Sequence, residues 1–93
     1  MTGSVKARPE TLDEVLRLSL EHVHRSRLEP GCLLHSVLRV VEDPYCLVFL
    51  EHWADHAALM VHFRVPASGA FAVALRDLAA EPPTLEIYEA ERR

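Results

Sequence analysis

Residues 29–53, EPGCLLHSVLRVVEDPYCLVFLEHW, decide the fold. Two runs rich in Leu and Val, Cys32 to Val41 and Tyr45 to Trp53, flank Glu42-Asp43-Pro44. Pro fixes φ and Asp bonds the local backbone, so the break is turn chemistry and the two runs read as a β-hairpin. Neither run alternates cleanly between apolar and polar residues. Strands apolar on both faces need cover on both faces. The chain's own helices supply one cover, and a second copy of the chain is the expected other. With Val41 set opposite Tyr45, Val37 meets Phe49, His35 meets Glu51 and Leu33 meets Trp53. Alternation with period two then puts Leu33, His35, Val37, Leu47, Phe49, Glu51 and Trp53 on one face. A slip of one residue would pair His35 with His52 instead.

Working outward toward the N-terminus, Gly3 to Arg8 is a short strand ended by Pro9. Thr11-Leu12-Asp13-Glu14 has capping-box spacing, with Thr11 placed to cap the amide of Glu14. A helix follows to about Arg27, with Leu12, Val15, Leu16, Ser19 and Val23 on its apolar stripe. The acids at its start, and His22, His24, Arg25 and Arg27 at its end, suit the helix dipole. Pro30-Gly31 stops it.

Toward the C-terminus, Asp55 is an N-cap and Leu59, His62 and Phe63 form an inward face. Pro66 breaks this helix. Ser68 caps the next one, whose stripe is Phe71, Leu75 and Leu78. Glu81-Pro82-Pro83 is a rigid connector, and Leu85 to Ala90 reads as the last strand. The order strand, helix, strand, strand, broken helix, strand predicts one α+β domain spanning residues 1–93. Its architecture is a ferredoxin-like βαββαβ fold with an antiparallel four-stranded sheet and helices on one face.

A chain of 93 residues buries about 60–65% of its unfolded surface, so association would help it. The net charge of −4, with no basic block, argues against nucleic acid or an anionic membrane as partner. No apolar run nears the ~20 residues of a membrane span. The N-terminus lacks the apolar centre of a signal peptide, so a cytoplasmic protein is expected. The two cysteines fall at opposite ends of the hairpin, roughly 25 Å apart at strand rise, too far to bond within one chain. Six histidines invite a metal reading. His22 and His24 fall on different helix faces, however, and His52 and His56 are split by a strand-to-helix change. No metal is therefore expected. Arg25, Arg27, Arg92 and Arg93 read as solvated surface.

Several of these segments together resemble the antibiotic biosynthesis monooxygenase (ABM) family of the dimeric α/β-barrel superfamily. They are Glu29-Pro30-Gly31-Cys32, Glu42-Asp43-Pro44, Glu51-His52-Trp53, then Asp55, Ala57-Ala58-Leu59 and His62, and finally Glu81-Pro82-Pro83 with Tyr88-Glu89. The resemblance covers roughly Val5 to Glu89. It implies a homodimer joined through the sheet face, with a pocket in each protomer between sheet and helices. It also implies oxygenation of a quinol or hydroxylated aromatic without cofactor, because a deprotonated electron-rich substrate can itself reduce dioxygen. Haem-degrading relatives use an Asn, a Trp and a His in the pocket. This chain has no Asn, and carries His35 where many members have Tyr.

On this reading His35 and Glu51 are the catalytic pair: Glu51 orients His35, which takes a phenolic proton. Trp53, His62 and Phe49 bind substrate, with Trp53 stacking on an aromatic ring. The plainer role for His35 and Glu51 is a cross-strand pair that pins the hairpin register. The alternative function is a non-catalytic dimeric module that binds a small ligand or assists assembly.

Overall fold

The computed structural model describes residues 1–91 and 93. Its elements are β1 (Thr2–Lys6), α1 (Leu12–Ser26), β2 (Cys32–Arg39), β3 (Cys46–Trp53), α2 (His56–Arg64), α3 (Pro66–Leu78) and β4 (Thr84–Glu86). The sheet order is β2-β3-β1-β4, antiparallel throughout, which is the ferredoxin-like α+β arrangement expected. On β3 the odd-numbered Leu47, Phe49 and Glu51 are buried. Leu47 and Phe49 meet Val5 of β1, Val15 and Val23 of α1 and Leu75 of α3 in one core. The even-numbered face is open: Leu34 and Leu38 are exposed, and Val48 and Leu50 are half-buried.

The hairpin register pairs His35 with Glu51 and Val37 with Phe49, as the turn chemistry predicts. It departs at both ends. The strands stop at Arg39 and resume at Cys46, so Val41 lies in the connecting loop, almost fully exposed, rather than opposite Tyr45. At the other end the pairing shifts between Cys32 and Leu34, and Trp53 faces Cys32. The extra residue is a β-bulge, which leaves Leu33 unpaired and turned outward at 69% exposure. Leu33 therefore leaves the buried face it was expected to share.

Thr11 does not cap Glu14. Its hydroxyl donates to the Leu78 carbonyl (2.7 Å) and accepts from the Arg8 N–H (3.0 Å), tying the start of α1 to the end of α3. Asp55 does cap α2, accepting from the Ala58 N–H at 2.8 Å. Val65, not Ser68, is the N-cap of α3, because Pro66 at the first helical position starts the helix earlier. The two short helices meet at a 72° bend. Among the described residues no single helix is long and apolar enough to cross a membrane. β4 pairs only with Thr2 to Ser4 and ends at Glu86, short of the expected Ala90, since nothing on β1 extends past Thr2 to hold it. Arg25 is half-buried rather than solvated, Arg27 and Arg93 are exposed as expected, and Arg92 lies outside the described residues.

Gly31 needs its freedom. It has φ +83°, between α1 and β2, and a Cβ there would sit 2.6 Å from the Cβ of Ala58 on α2. Its carbonyl accepts from the Ala54 N–H at 2.8 Å. This bare position lets α2 approach the start of β2, which is how α2 delivers its His62 to the end of the hairpin.

Candidate active site

The hairpin register sets His35 and Glu51 side by side under the helices. His35 Nε2 lies 3.2 Å from Glu51 Oε1, and both side chains are almost wholly inaccessible. The contact is ionic in range but poorly aligned, and among the described residues neither ring nitrogen of His35 has a hydrogen-bond partner. Trp53, two residues along the same face, donates its Nε1–H to Glu51 Oε1 at 3.0 Å. Burial pushes the Glu51 carboxyl up. Contact with His35 and its charge, the Trp53 N–H and the charge of His62 together outweigh burial, and the group sits below the usual carboxylate range. Glu51 is an anion at neutral pH.

From α2, His62 reaches the same carboxylate, with Nε2 3.8 Å from Glu51 Oε1. Its Nδ1 lies 2.9 Å from Glu29 Oε1. An ionised carboxylate only accepts, so Nδ1 carries a proton, and a ring holding only that proton offers its lone pair at Nε2. From α1, His22 stacks on Phe71, with centroids 4.1 Å apart and planes 9° apart. Arg25 approaches its Nδ1 at 2.7 Å. Guanidinium only donates, so Nδ1 accepts and the neutral ring holds its proton on Nε2. Burial above all, then the charges of His35, His62 and Arg25, lowers the His22 pKa to about 3, so it is neutral. The rings of His22, His35 and His62 stand 5.2–5.6 Å apart, centroid to centroid.

A cavity of about 410 Å³ lies between the sheet and the helices. Phe49, Phe71 and Leu75 give it an apolar wall, and Glu51, His62 and His22 reach it at one end. Ser68 also lines it, and its hydroxyl is buried without a partner among the described residues. Of the five residues singled out from sequence, Phe49, Glu51 and His62 face the cavity. His35 and Trp53 do not: they stand behind Glu51, in contact with it. His35 therefore does not touch a molecule bound in this cavity and meets its lining through Glu51. Trp53 instead lies against His62, with ring centroids 4.6 Å apart.

Two site residues lie outside the sequence expectation. The charges around His22 place it at the helix end, although its spacing from Val15 and Ser19 continues their stripe. Glu29 lies beyond the helix, and no local pattern predicts its bond to His62. Spacing along the chain compares only histidines close in sequence, whereas His22, His35 and His62 converge from three different elements.

The family model described as antibiotic biosynthesis monooxygenase matches residues 1–74. An uncharacterized protein of Synechocystis sp., sll1783, is 33% identical over 89 residues, which are 96% of this chain and 60% of that protein. The chain thus spans less than two thirds of that relative's length. A Bacillus subtilis protein named "Putative monooxygenase YcnE" is 28% identical over 78 residues, 84% of this chain and 82% of that one. Among solved structures, one described as an antibiotic biosynthesis monooxygenase superposes with a TM-score of 0.89. It is 28% identical, covering 98% of this chain and 96% of its own.

Proposed function

The chain belongs to the antibiotic biosynthesis monooxygenase family, and from that premise we propose that it oxygenates a hydroxylated aromatic or quinol-type small molecule in the cavity between sheet and helices. The observation that carries this reading is the cavity itself. It is apolar along Phe49, Phe71 and Leu75, and ends in a buried anion beside an imidazole lone pair. A flat aromatic ring suits the first part, and a phenolic O–H suits the second.

In this reading His62 Nε2 takes the phenolic proton. Glu29 fixes the tautomer of His62 from the far side, and the Glu51 carboxylate stabilises the imidazolium that forms. His35 and Trp53 hold the Glu51 carboxylate in place as positioning residues. The Ser68 hydroxyl is free to bond a substrate oxygen. The resulting phenolate is electron-rich enough to pass electrons to dioxygen. For a substrate with a CH₂ conjugated to the ring, oxidation to C=O releases four electrons. One oxygen atom ends in that carbonyl, and the other takes up two protons and leaves as water.

The working unit is a homodimer joined through the open sheet face, whose Leu34, Leu38, Val48 and Leu50 lack cover within one chain. A stable dimer would bury over roughly 1,200 Å² in total. Light scattering at micromolar concentration should give twice the mass of one chain, and a monomer would exclude the dimer. The function is tested by oxygen uptake against a panel of quinols and anthrones. Turnover of at least one supports it, whereas tight binding of the panel with no uptake would favour the non-catalytic ligand-binding module.

A further inference from the structure

We propose that His22, His35 and His62, with Glu51 at the fourth position, form a binding site for a divalent transition-metal ion of the zinc and cobalt type. The three imidazoles come from α1, β2 and α2, and all are buried. One ring nitrogen from each lies within 4.8 Å of the other two. A tetrahedral ion with nitrogen ligands at 2.0–2.1 Å needs ligand separations of roughly 3.4 Å. The rings therefore close by about 1.4 Å at most, within the reach of small χ rotations. Glu51 already has that spacing, with Oε1 3.2 Å from His35 Nε2 and 3.8 Å from His62 Nε2.

Three further observations point to an ion. Among the described residues both nitrogens of His35 are buried without a hydrogen-bond partner, an expensive arrangement that a metal bond would relieve at one of the two. His62 gives its Nδ1–H to Glu29, the carboxylate–histidine pattern that orients and strengthens a metal-bound imidazole through its other nitrogen. Glu51 and Glu29 supply two negative charges against the two positive charges of the ion. A donor set of imidazoles with one carboxylate suits zinc and its neighbours over magnesium or calcium, which prefer all-oxygen sites.

Arg25 opposes the ion. Its guanidinium holds His22 Nδ1 as acceptor, so His22 ligates only when that contact is released. Removing Arg25 should therefore tighten binding. The site borders the cavity, since His22, His62 and Glu51 all line it. An ion there takes His62 Nε2 and the Glu51 carboxylate, so the loaded chain has no free imidazole base and the ion would inhibit the oxygenase step; ion binding itself is read without turnover, so the two readings fail separately.

The test uses the full chain, stripped with chelator and titrated with Co²⁺, with Zn²⁺ as competitor. The expected result is one Co²⁺ per chain, with the intense visible bands of a low-coordinate cobalt ion that Zn²⁺ bleaches. His35→Ala and His62→Ala should each weaken binding at least about 100-fold. Glu29→Gln should weaken it about 10–100-fold, as loss of an outer-shell partner does. Arg25→Met should tighten it several-fold, and exchange of the exposed His24, His52 or His56 for Ala should leave it unchanged. Circular dichroism checks that each variant is folded. Should a histidine variant not fold, the wild-type spectrum and Glu29→Gln still decide. No stoichiometric binding by the wild type, binding carried by an exposed histidine, or binding that survives in folded His35→Ala would each overturn the site.

Discussion

Gly31→Ala should unfold this domain at markedly lower denaturant, and the structure sets the size of the effect. The position has φ +83°, where an L side chain costs about 1–2 kcal/mol. The added methyl would also stand 2.6 Å from Ala58 Cβ, an overlap of the kind that costs about 1–3 kcal/mol in a packed site. The sum, about 2–5 kcal/mol, is a large share of the 5–15 kcal/mol that holds a domain together. At about 4–8 °C per kcal/mol for a domain near this size, the melting temperature should fall by roughly 8–40 °C. Urea unfolding measures the loss, and a cycle with Ala58→Gly separates its two parts. The double variant should recover the overlap and keep the backbone strain, giving a coupling of about 1–3 kcal/mol. A loss under about 1 kcal/mol, or no coupling to Ala58, would refute the claim that Gly31 is what lets α2 close on the hairpin.

Leu47→Ala, at a core position only 1% exposed, should cost about 2–5 kcal/mol. Leu16→Ala, on the half-buried edge of the α1 stripe, should cost less than about 2 kcal/mol in the same denaturant assay. Acid should destabilise the metal-free protein through His22. Its folded pKa of about 3 lies below the unfolded 6.5, so the unfolded chain binds the extra proton and stability falls as pH drops from 6.5 toward 3. At about 1.4 kcal/mol per pH unit, roughly 2.7 kcal/mol is lost by pH 4.5. His22→Phe should flatten that slope, and an unchanged slope would show His22 is not the buried neutral group. Glu51 works in a lower window. Its carboxyl is depressed in the fold, so its stabilisation is present above the unfolded value of about 4.5 and lost as pH falls through the folded value. Glu51→Gln should remove that acid-side loss from a stability profile while lowering stability at neutral pH by about 1.5–3 kcal/mol, the worth of hydrogen bonds to a charged group.

The hairpin was legible because its two signals agree. Asp43-Pro44 places the turn, and period-two counting then brings His35 to Glu51, as the pairing has it. Leu33 shows where counting ends. A bulge adds one residue to one strand without any change in composition, so the alternation runs smoothly through a break in the pairing. Thr11 fits the capping spacing, yet its hydroxyl is drawn to the Leu78 carbonyl 67 residues away. A local motif loses there to a tertiary partner that no window of sequence contains. The site was half legible for the same reason. His35, Glu51 and Trp53 share one strand pair and can be counted into register. The Glu29–His62 bond and the approach of His22 depend on how α1 and α2 dock. The charged neighbours of His22 also disguised a core position: His24 and Arg25 face outward or inward by angle alone, and the stripe from Val15 through Ser19 reaches His22 between them.

The most direct test of the function is the fate of the two atoms of heavy-isotope dioxygen during turnover of an anthrone-type substrate. The account expects one dioxygen consumed per product, with one heavy atom in the new carbonyl and the other in water. It also expects Glu51→Gln and His62→Ala to lose at least about 100-fold in rate while still binding the substrate. Product oxygen drawn from water, or full turnover in both variants, would contradict it.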